Sequence, residues 1–254
     1  MSEIKISDIK REFEASDVNE YENLIKKYLS DERSGVQKLI VKYQKQIDNY
    51  NKELKRLYDM QEYERKYSEY QYTGGIDEVG RGPLAGPVCA GIVILPKDVN
   101  IMYINDSKQL SAKKRQELYD EIISVAVDYK TALVSPEIID EINILQATYE
   151  AMRQAINGLR IKPDILLNDA VTIPGVNIKQ VPIIKGDTKS VSIAAASIVA
   201  KVERDSLMEM YDELYPEYGF ASNKGYGSKE HIAALKKYGP CPIHRLQFIK
   251  GLLN

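Results

Sequence analysis

The chain has 254 residues, of which 44% are hydrophobic and 28% charged, a composition typical of a soluble globular protein. Its formal net charge is −2, and the charges are balanced within both residues 1–72 and residues 73–254, so any surface for a polyanion must be a local patch. The two cysteines, Cys89 and Cys241, lack metal-ligand spacing, and no apolar run reaches membrane-spanning length. With no apolar signal core at the N-terminus, these features predict a cytoplasmic protein without a membrane partner.

Residues 1–71 carry two helical patterns. The first covers about 17–30, and the second repeats apolar residues in steps of four and three, as in a coiled-coil seam: Val36, Ile40, Tyr43, Ile47, Tyr50, Leu54 and Leu57. Ser34 and Gly35 separate the two patterns, which together predict a helical hairpin. The apolar stripe either packs the two helices together or contacts a substrate or partner.

Thr73-Gly74-Gly75 ends the helical pattern and predicts a domain boundary between residues 71 and 72. The elements predicted beyond it are strands at 75–80, 88–95, 128–134, 164–168 and 180–183, and helices at 112–124, 136–158, 188–214 and 229–238. This order favours an α/β layer with a mixed sheet. Residues 72–254 would form that domain, with a helical C-terminal part over about 215–254.

The stretch 74–91, GGIDEVGRGPLAGPVCAG, places Asp77 and Glu78 at the end of a short strand, just before a Gly-Arg-Gly run. Because glycine permits close approach of a ligand, acids beside such a run suggest metal ions held against a phosphate or sugar. Neighbouring side chains on a strand point to opposite faces. Either the strand distorts at Glu78, or the backbone carbonyl of Glu78 helps to bind metal.

Two further acids follow at element ends: Asp169 after a strand and Asp187 before a helix, where Asp187 would also serve as an N-cap. Four carboxylates close together would repel one another and raise their pKa values, a conflict that divalent cations remove. Mg²⁺ and Mn²⁺ accept such oxygen ligands, whereas zinc is disfavoured because Cys and His are absent from these positions.

Segments in a fixed order resemble bacterial ribonuclease HII, the type 2 ribonuclease H: 74–91, DSKQLS at 106–111, LNDA at 167–170, IKGDTKSVSIAAASIVAKVERD at 184–205, NKGYGSKEH at 223–231 and GPCPIHR at 239–245. The resemblance covers roughly residues 72–254, and residues 1–71 are similar to the N-terminal extension of some Gram-positive-type members. It implies a ribonuclease H-like fold with a mixed five-stranded sheet flanked by helices, an N-terminal helical hairpin and a C-terminal helical extension.

The resemblance also implies catalytic roles for the four carboxylates Asp77, Glu78, Asp169 and Asp187, which would hold two Mg²⁺ or Mn²⁺ ions. Hydrolysis would leave 5′-phosphate and 3′-hydroxyl ends. The expected substrates are RNA–DNA hybrids and duplex DNA containing ribonucleotides, cut on the 5′ side of a ribonucleotide.

The resemblance also implies contacts with the substrate. The backbone of Gly80, Arg81 and Gly82 would recognise the 2′-hydroxyl, and Tyr226 would stack on the sugar. Candidates for phosphate contact are Lys108, Lys185, Lys189, Lys224 and Arg245. Arg81 is alternatively a salt-bridge residue, and each of the candidate cations is alternatively a solvated side chain.

The two histidines, His231 and His244, fit structural roles or phosphate contacts better than a general acid–base pair. Two other functions remain open at this stage: another metal nuclease of the same fold, such as a junction resolvase, and a non-catalytic nucleic-acid-binding protein. The Gly-Arg-Gly run with Tyr226 argues against the first, and the complete set of four acids against the second.

Overall fold

The computed structural model of the chain describes residues 4–253. The helices in this range are α1 (Ile6–Ala15), α2 (Tyr21–Tyr28), α3 (Ser34–Met60), α4 (Glu62–Lys66), α5 (Ala112–Val125), α6 (Pro136–Ile142), α7 (Ile144–Gly158), α8 (Val191–Leu214), α9 (Phe220–Asn223), α10 (Lys229–Tyr238) and α11 (Leu246–Ile249). The strands are β1 (Thr73–Val79), β2 (Val88–Ile94), β3 (Asp128–Val134), β4 (Ile165–Asp169) and β5 (Lys179–Ile183). Among these helices, none combines the length and apolar character that a bilayer span requires.

The chain divides into two compact units, Met1–Tyr58 and Asp59–Asn254. The division falls near the end of α3, so residues 59–71 belong to the second unit. The predicted boundary after residue 71 lies further along the chain and stays a prediction about where an independent domain begins.

The first unit is helical, with a core shared by α1, α2 and α3. Four residues of the predicted stripe, Val36, Ile40, Tyr43 and Ile47, are buried in this core. Tyr43 stacks on Phe13 of α1, with ring centroids 4.3 Å apart. The predicted hairpin is therefore accompanied by α1, a helix that was not predicted because its buried apolar positions form too short a pattern.

The second unit is built on a five-stranded sheet of order β3-β2-β1-β4-β5. β1 is antiparallel to β2 and parallel to β4, and β5 is parallel to β4, so the predicted mixed sheet is confirmed. Ile92 and its same-face neighbours pack with α7 in the main core. Since side chains alternate along a strand, the intervening residues point to the other face, which α8 covers.

Two glycines let α8 lie directly against the sheet. A Cβ on Gly75 would lie 2.1 Å from the carbonyl carbon of Ser192, and one on Gly91 would lie 2.7 Å from the carbonyl oxygen of Ala196. The small residues at the start of α8 and these glycines therefore bring the helix backbone close to β1 and β2. This contact places the N-terminus of α8 beside the strand that carries Asp77 and Glu78.

Two predicted helices differ from the structure. The helix predicted over 136–158 is broken at Asn143, which has φ 68° and whose side chain accepts hydrogen bonds from the amides of Leu145 and Gln146 at the start of α7. The helix predicted from 188 begins at Val191, because residues 186–188 form a 3₁₀ turn and Ser190 is the N-cap. Side-chain capping thus decides both helix starts.

Candidate active site

Three of the predicted acids lie at one edge of the sheet because two strands run parallel. Ile76 of β1 pairs with Asn168 of β4, so Asp77 and Asp169 follow a matched pair at the carboxyl ends of adjacent strands. Glu78 follows Asp77 within β1, which continues to Val79 in regular register with β2. The strand therefore does not end at the two acids, and the ladder is unbroken at Glu78.

The fourth acid, Asp187, reaches the same edge through the turn between β5 and α8. The amide of Gly186 donates a 2.7 Å hydrogen bond to Oδ1 of Asp169, which joins the two carboxylate-bearing segments. Ala170 and Lys185, which flank this contact, have the left-handed φ values 54° and 56°. Such conformations cost energy in non-glycine residues and persist where the surrounding structure requires them.

Three of these carboxyl groups, those of Asp77, Glu78 and Asp187, are protonated more readily than free ones. Burial, with the charges of Glu78 and Asp169, raises the pKa of Asp77 well above its usual range. Burial also raises the pKa of Glu78. Burial and the nearby Asp106 and Asp169 raise the pKa of Asp187 to about 6. The site thus concentrates negative charge in a poorly solvated place, as the sequence led us to expect.

The donor atoms suit a hard divalent cation. The buried Oε2 of Glu78 has no hydrogen-bond partner, so one carboxylate oxygen is already desolvated and available to a ligand. All four acids present oxygen ligands, as Mg²⁺ and Mn²⁺ prefer. Within residues 4–253, however, no three Asp, Glu, His or Cys side chains already converge as a finished metal site. Glu78 instead accepts a 3.2 Å salt bridge from Arg81.

Two residues that the sequence reasoning missed contact these acids. The charge of Asp106 raises the pKa of Asp187, and Ser197 of α8 lowers the pKa of Asp77, so both side chains lie close to these carboxyl groups. The hydroxyl of Ser197 also lies 3.0 Å from that of Ser107, so the 106–111 segment is connected to the acids. Asp106 opens the DSKQLS segment and Ser197 lies within the 184–205 segment, so both stood in motifs that had been recognised.

Two fully buried arginines, Arg204 and Arg245, fix the Gly-Arg-Gly loop and the residues after it by hydrogen bonds to backbone carbonyls. Arg245 donates to the carbonyls of Gly80 (2.5 Å), Arg81 (2.8 Å) and Gly86 (2.9 Å). Arg204 of α8 donates to the carbonyls of Ala85, Pro87 and Lys224, and its Nε lies 2.9 Å from the Pro87 oxygen. Gly80 has φ 86°, and a Cβ there would lie 2.2 Å from Arg204 Nε, so only glycine fits.

Tyr226 lies next to this loop. It is 41% exposed, and a Cβ on Gly82 would lie 3.9 Å from its ring. The amides of Leu84 and Ala85 donate to the carbonyl of Gly225, which fixes the two segments to each other. An exposed aromatic ring thus stands beside a glycine-lined backbone, as the predicted recognition of a sugar requires.

The histidines support the Tyr226 loop and are both buried. Nδ1 of His231 lies 2.8 Å from the carbonyl of Tyr226, and its Nε2 lies 3.0 Å from Nε2 of His244. Burial lowers the pKa of His231, and burial together with His231 lowers that of His244 to about 4. Both rings are therefore neutral at physiological pH and structural, which excludes a phosphate contact by either in this arrangement.

The candidate cations occupy different places. Lys108 lies near the acids. Burial alone would lower its pKa, but the negative charges of Asp106, Asp77 and Asp187 outweigh burial, so the pKa is raised. Lys185 and Lys189 are exposed around Asp187. Lys224 forms a 2.6 Å ion pair with Glu209. Arg245 differs from the prediction, because its guanidinium is buried against carbonyls and is not presented to a phosphate.

Comparison with known proteins agrees with this geometry. The structure of ribonuclease H2 from Pyrococcus horikoshii OT3 superimposes with a TM-score of 0.61 and 31% identity, covering 72% of this chain and 97% of that one. RNase HII of Archaeoglobus fulgidus, solved in a complex with PCNA, superimposes with a TM-score of 0.61 and 27% identity, covering 72% of this chain and 97% of that one. The second unit therefore has a ribonuclease H-like fold, as predicted.

Sequence comparison is more specific. Residues 74–251 match the family described as Ribonuclease HII, and residues 5–68 match the Ribonuclease HII N-terminal domain. Proteins named Ribonuclease HII from Lachnoclostridium phytofermentans and Clostridioides difficile are 61% and 53% identical, covering 99% and 100% of this chain and of their own length. The chain belongs to the ribonuclease HII family. It is an endonuclease that hydrolyses the RNA strand of RNA–DNA hybrids, the function of this family.

Proposed function

We propose that this enzyme also cuts on the 5′ side of ribonucleotides embedded in duplex DNA, including RNA–DNA junctions, and leaves 5′-phosphate and 3′-hydroxyl ends. The observation that carries this proposal is the placement of Tyr226 beside Gly82. A glycine backbone can approach the 2′-hydroxyl, which both donates and accepts hydrogen bonds, while the exposed ring covers the adjoining sugar. Recognition would then depend on one ribose and its neighbour rather than on a long hybrid.

The catalytic residues of this proposal are Asp77, Glu78, Asp169 and Asp187. They would hold two Mg²⁺ or Mn²⁺ ions, which supply charge for an attacking water and for the leaving 3′-oxygen. The unpartnered Glu78 Oε2 and the raised pKa values of Asp77 and Asp187 support this assignment. With these ions bound, each carboxylate would have a cation beside it as well as its negatively charged neighbours, which would favour the ionised form.

The residues around the acids position the substrate. Lys108 lies close enough to Asp77 and Asp187 for their charges to raise its pKa, and its ammonium would contact a phosphate at the same place. Lys185 and Lys189 add exposed positive charge on the turn that carries Asp187. The rigid loop of Gly80–Gly82 would fix the ribose, so that one phosphodiester bond is presented to the acids. A place in the cytoplasm and a role in removing ribonucleotides during DNA replication and repair follow from this substrate.

A direct assay compares a duplex with one ribonucleotide, an RNA–DNA hybrid, an all-DNA four-way junction and a plain DNA duplex. We expect cleavage of the first two with Mg²⁺ or Mn²⁺, a cut 5′ of the ribonucleotide, and no cleavage in excess EDTA. The control is Asp77→Asn, which should lose at least about a hundredfold in rate, because it removes charge at the reacting phosphate. Full activity in EDTA, or cleavage of the junction alone, would contradict the proposal.

A further inference from the structure

Helix α4 precedes the sheet in the chain, and its Glu64 carboxylate contacts the N-terminus of α8, next to the turn that carries Asp187. Oε1 of Glu64 accepts a 2.5 Å hydrogen bond from the hydroxyl of Ser190 and a 3.0 Å hydrogen bond from the amide of Ser192. Ser190 is fully buried and is the N-cap of α8, where its own hydroxyl accepts from the amide of Ile193. Glu64 therefore supplements the cap of the helix that begins beside the acids.

The same contacts continue to two catalytic carboxylates. The amide of Ser190 donates a 2.9 Å hydrogen bond to the carbonyl of Gly186. The amide of Gly186 in turn donates to Asp169, and Asp187 is the next residue. Gly186 is confined further, because a Cβ there would lie 2.5 Å from Ile193. Any movement of Ser190 would thus move Gly186 and alter the separation of Asp169 and Asp187.

Aromatic packing holds α4 in place for this task. Tyr63 and Tyr67 pack against a cluster of Leu167, Ile183 and Ile193, which lie in β4, β5 and α8. β4 ends with Asp169, β5 precedes Asp187, and α8 follows Asp187. The side chain of Gln61 also donates a 2.8 Å hydrogen bond to the carbonyl of Val99. Residues 61–67 are therefore anchored on the segments that carry the acids.

We infer that Glu64 is a positioning residue for metal binding, which sets the geometry of Asp169 and Asp187 through Ser190 and Gly186. This inference rests on the proposed function, since it assumes that these acids hold the divalent cations. Glu64 contacts neither the acids nor the substrate-binding loop directly. Its effect is exerted on metal affinity, whereas recognition of the ribonucleotide depends on the separate loop of Gly80–Gly82.

The test compares Glu64→Ala with Glu64→Gln in the full-length protein. The amide oxygen of glutamine still accepts both hydrogen bonds, whereas alanine accepts none. Mn²⁺ binding to the protein without substrate is followed by the electron paramagnetic resonance signal of free Mn²⁺. We expect Glu64→Ala to weaken binding on the order of tenfold, as outer-shell changes at metal sites do, and Glu64→Gln to stay within about threefold of wild type.

Activity gives a second readout. In Glu64→Ala the metal concentration for half-maximal cleavage should rise by the same factor, while the KM for a duplex with one ribonucleotide stays constant at saturating metal. The matched control is Glu62→Ala, an exposed glutamate of the same helix, which should equal wild type in both measurements. Ser190→Ala, alone and combined with Glu64→Ala, provides a double-mutant cycle in which the two losses should be non-additive.

Mn²⁺ affinity unchanged in a folded Glu64→Ala would overturn the inference. Equal weakening by alanine and glutamine would overturn it as well, because the hydrogen bonds could not then be the cause. If Glu64→Ala does not fold, Ser190→Ala takes its place, and an unchanged Mn²⁺ affinity in folded Ser190→Ala decides against the inference. Failure of the wild-type protein to bind Mn²⁺ would instead contradict the proposed function, so the two failures are distinguishable.

Discussion

Replacement of Arg245 separates two roles that one residue could have. The sequence suggested a phosphate contact, but the structure shows a fully buried guanidinium that donates to the carbonyls of Gly80, Arg81 and Gly86. Hydrogen bonds of charged groups contribute about 1.5–3 kcal/mol each. The three bonds act on one short loop and are not additive, so we take about 3 kcal/mol for Arg245→Ala. For a unit of this size, that corresponds to a fall in Tm of about 6–12 °C.

The assay is a thermal melt combined with the salt dependence of binding to a duplex containing one ribonucleotide. Arg245→Lys sharpens the comparison, because lysine replaces arginine well as a point charge on a phosphate but not as a planar fork on carbonyls. We therefore expect both variants to lower Tm and to lose preference for the ribonucleotide, with the salt slope unchanged. Lys236→Ala removes an exposed C-terminal cation and should leave Tm unchanged.

A phosphate contact by Arg245 would give a different set of results. If Arg245 contacts a phosphate, Arg245→Ala would reduce the magnitude of the slope of log K against log salt by about 0.9. Arg245→Lys would then restore it, and neither variant would change Tm. That combination would refute the assignment of Arg245 to the support of the Gly80–Gly82 loop.

Two further predictions concern the ring and the acids. Tyr226→Phe should keep most activity on an embedded ribonucleotide, whereas Tyr226→Ala should lose stacking of about 1–3 kcal/mol, measured as kcat/KM; equal small losses would mean that the ring only packs. Folding raises the pKa of Asp187 from about 4 to about 6. In EDTA, wild type should therefore lose stability as the pH rises through this range, because the folded state then has to carry an unfavourable charge. Asp187→Asn should lack this loss and at pH 7.5 be as stable as wild type or more stable, by up to about 3 kcal/mol, yet inactive. Thermal melts of both proteins across this pH range check the sign, and a strongly destabilised mutant would show that Asp187 is chiefly a structural residue of the turn before α8.

The amino-acid sequence by itself determined the features that depend on short-range order. The seam from Val36 to Ile47 follows from helical periodicity. The acids could be located for the same reason. Strand ends and turns are local signals: Asp169 ends β4 and Asp187 lies in the turn before α8, whereas Asp77 lies within β1, two residues before its end.

Only the tertiary structure decided which side chains serve those acids and the loop beside them. Arg245 is separated from Gly80 by most of the second unit, and Glu64 is far along the chain from Ser190, yet each pair is in hydrogen-bond contact. Whether a charged side chain meets solvent or a carbonyl depends on which distant elements remove its water. That desolvation is a property of the packed fold, so a pattern of neighbouring residues could not distinguish the buried Arg245 from the exposed Lys185.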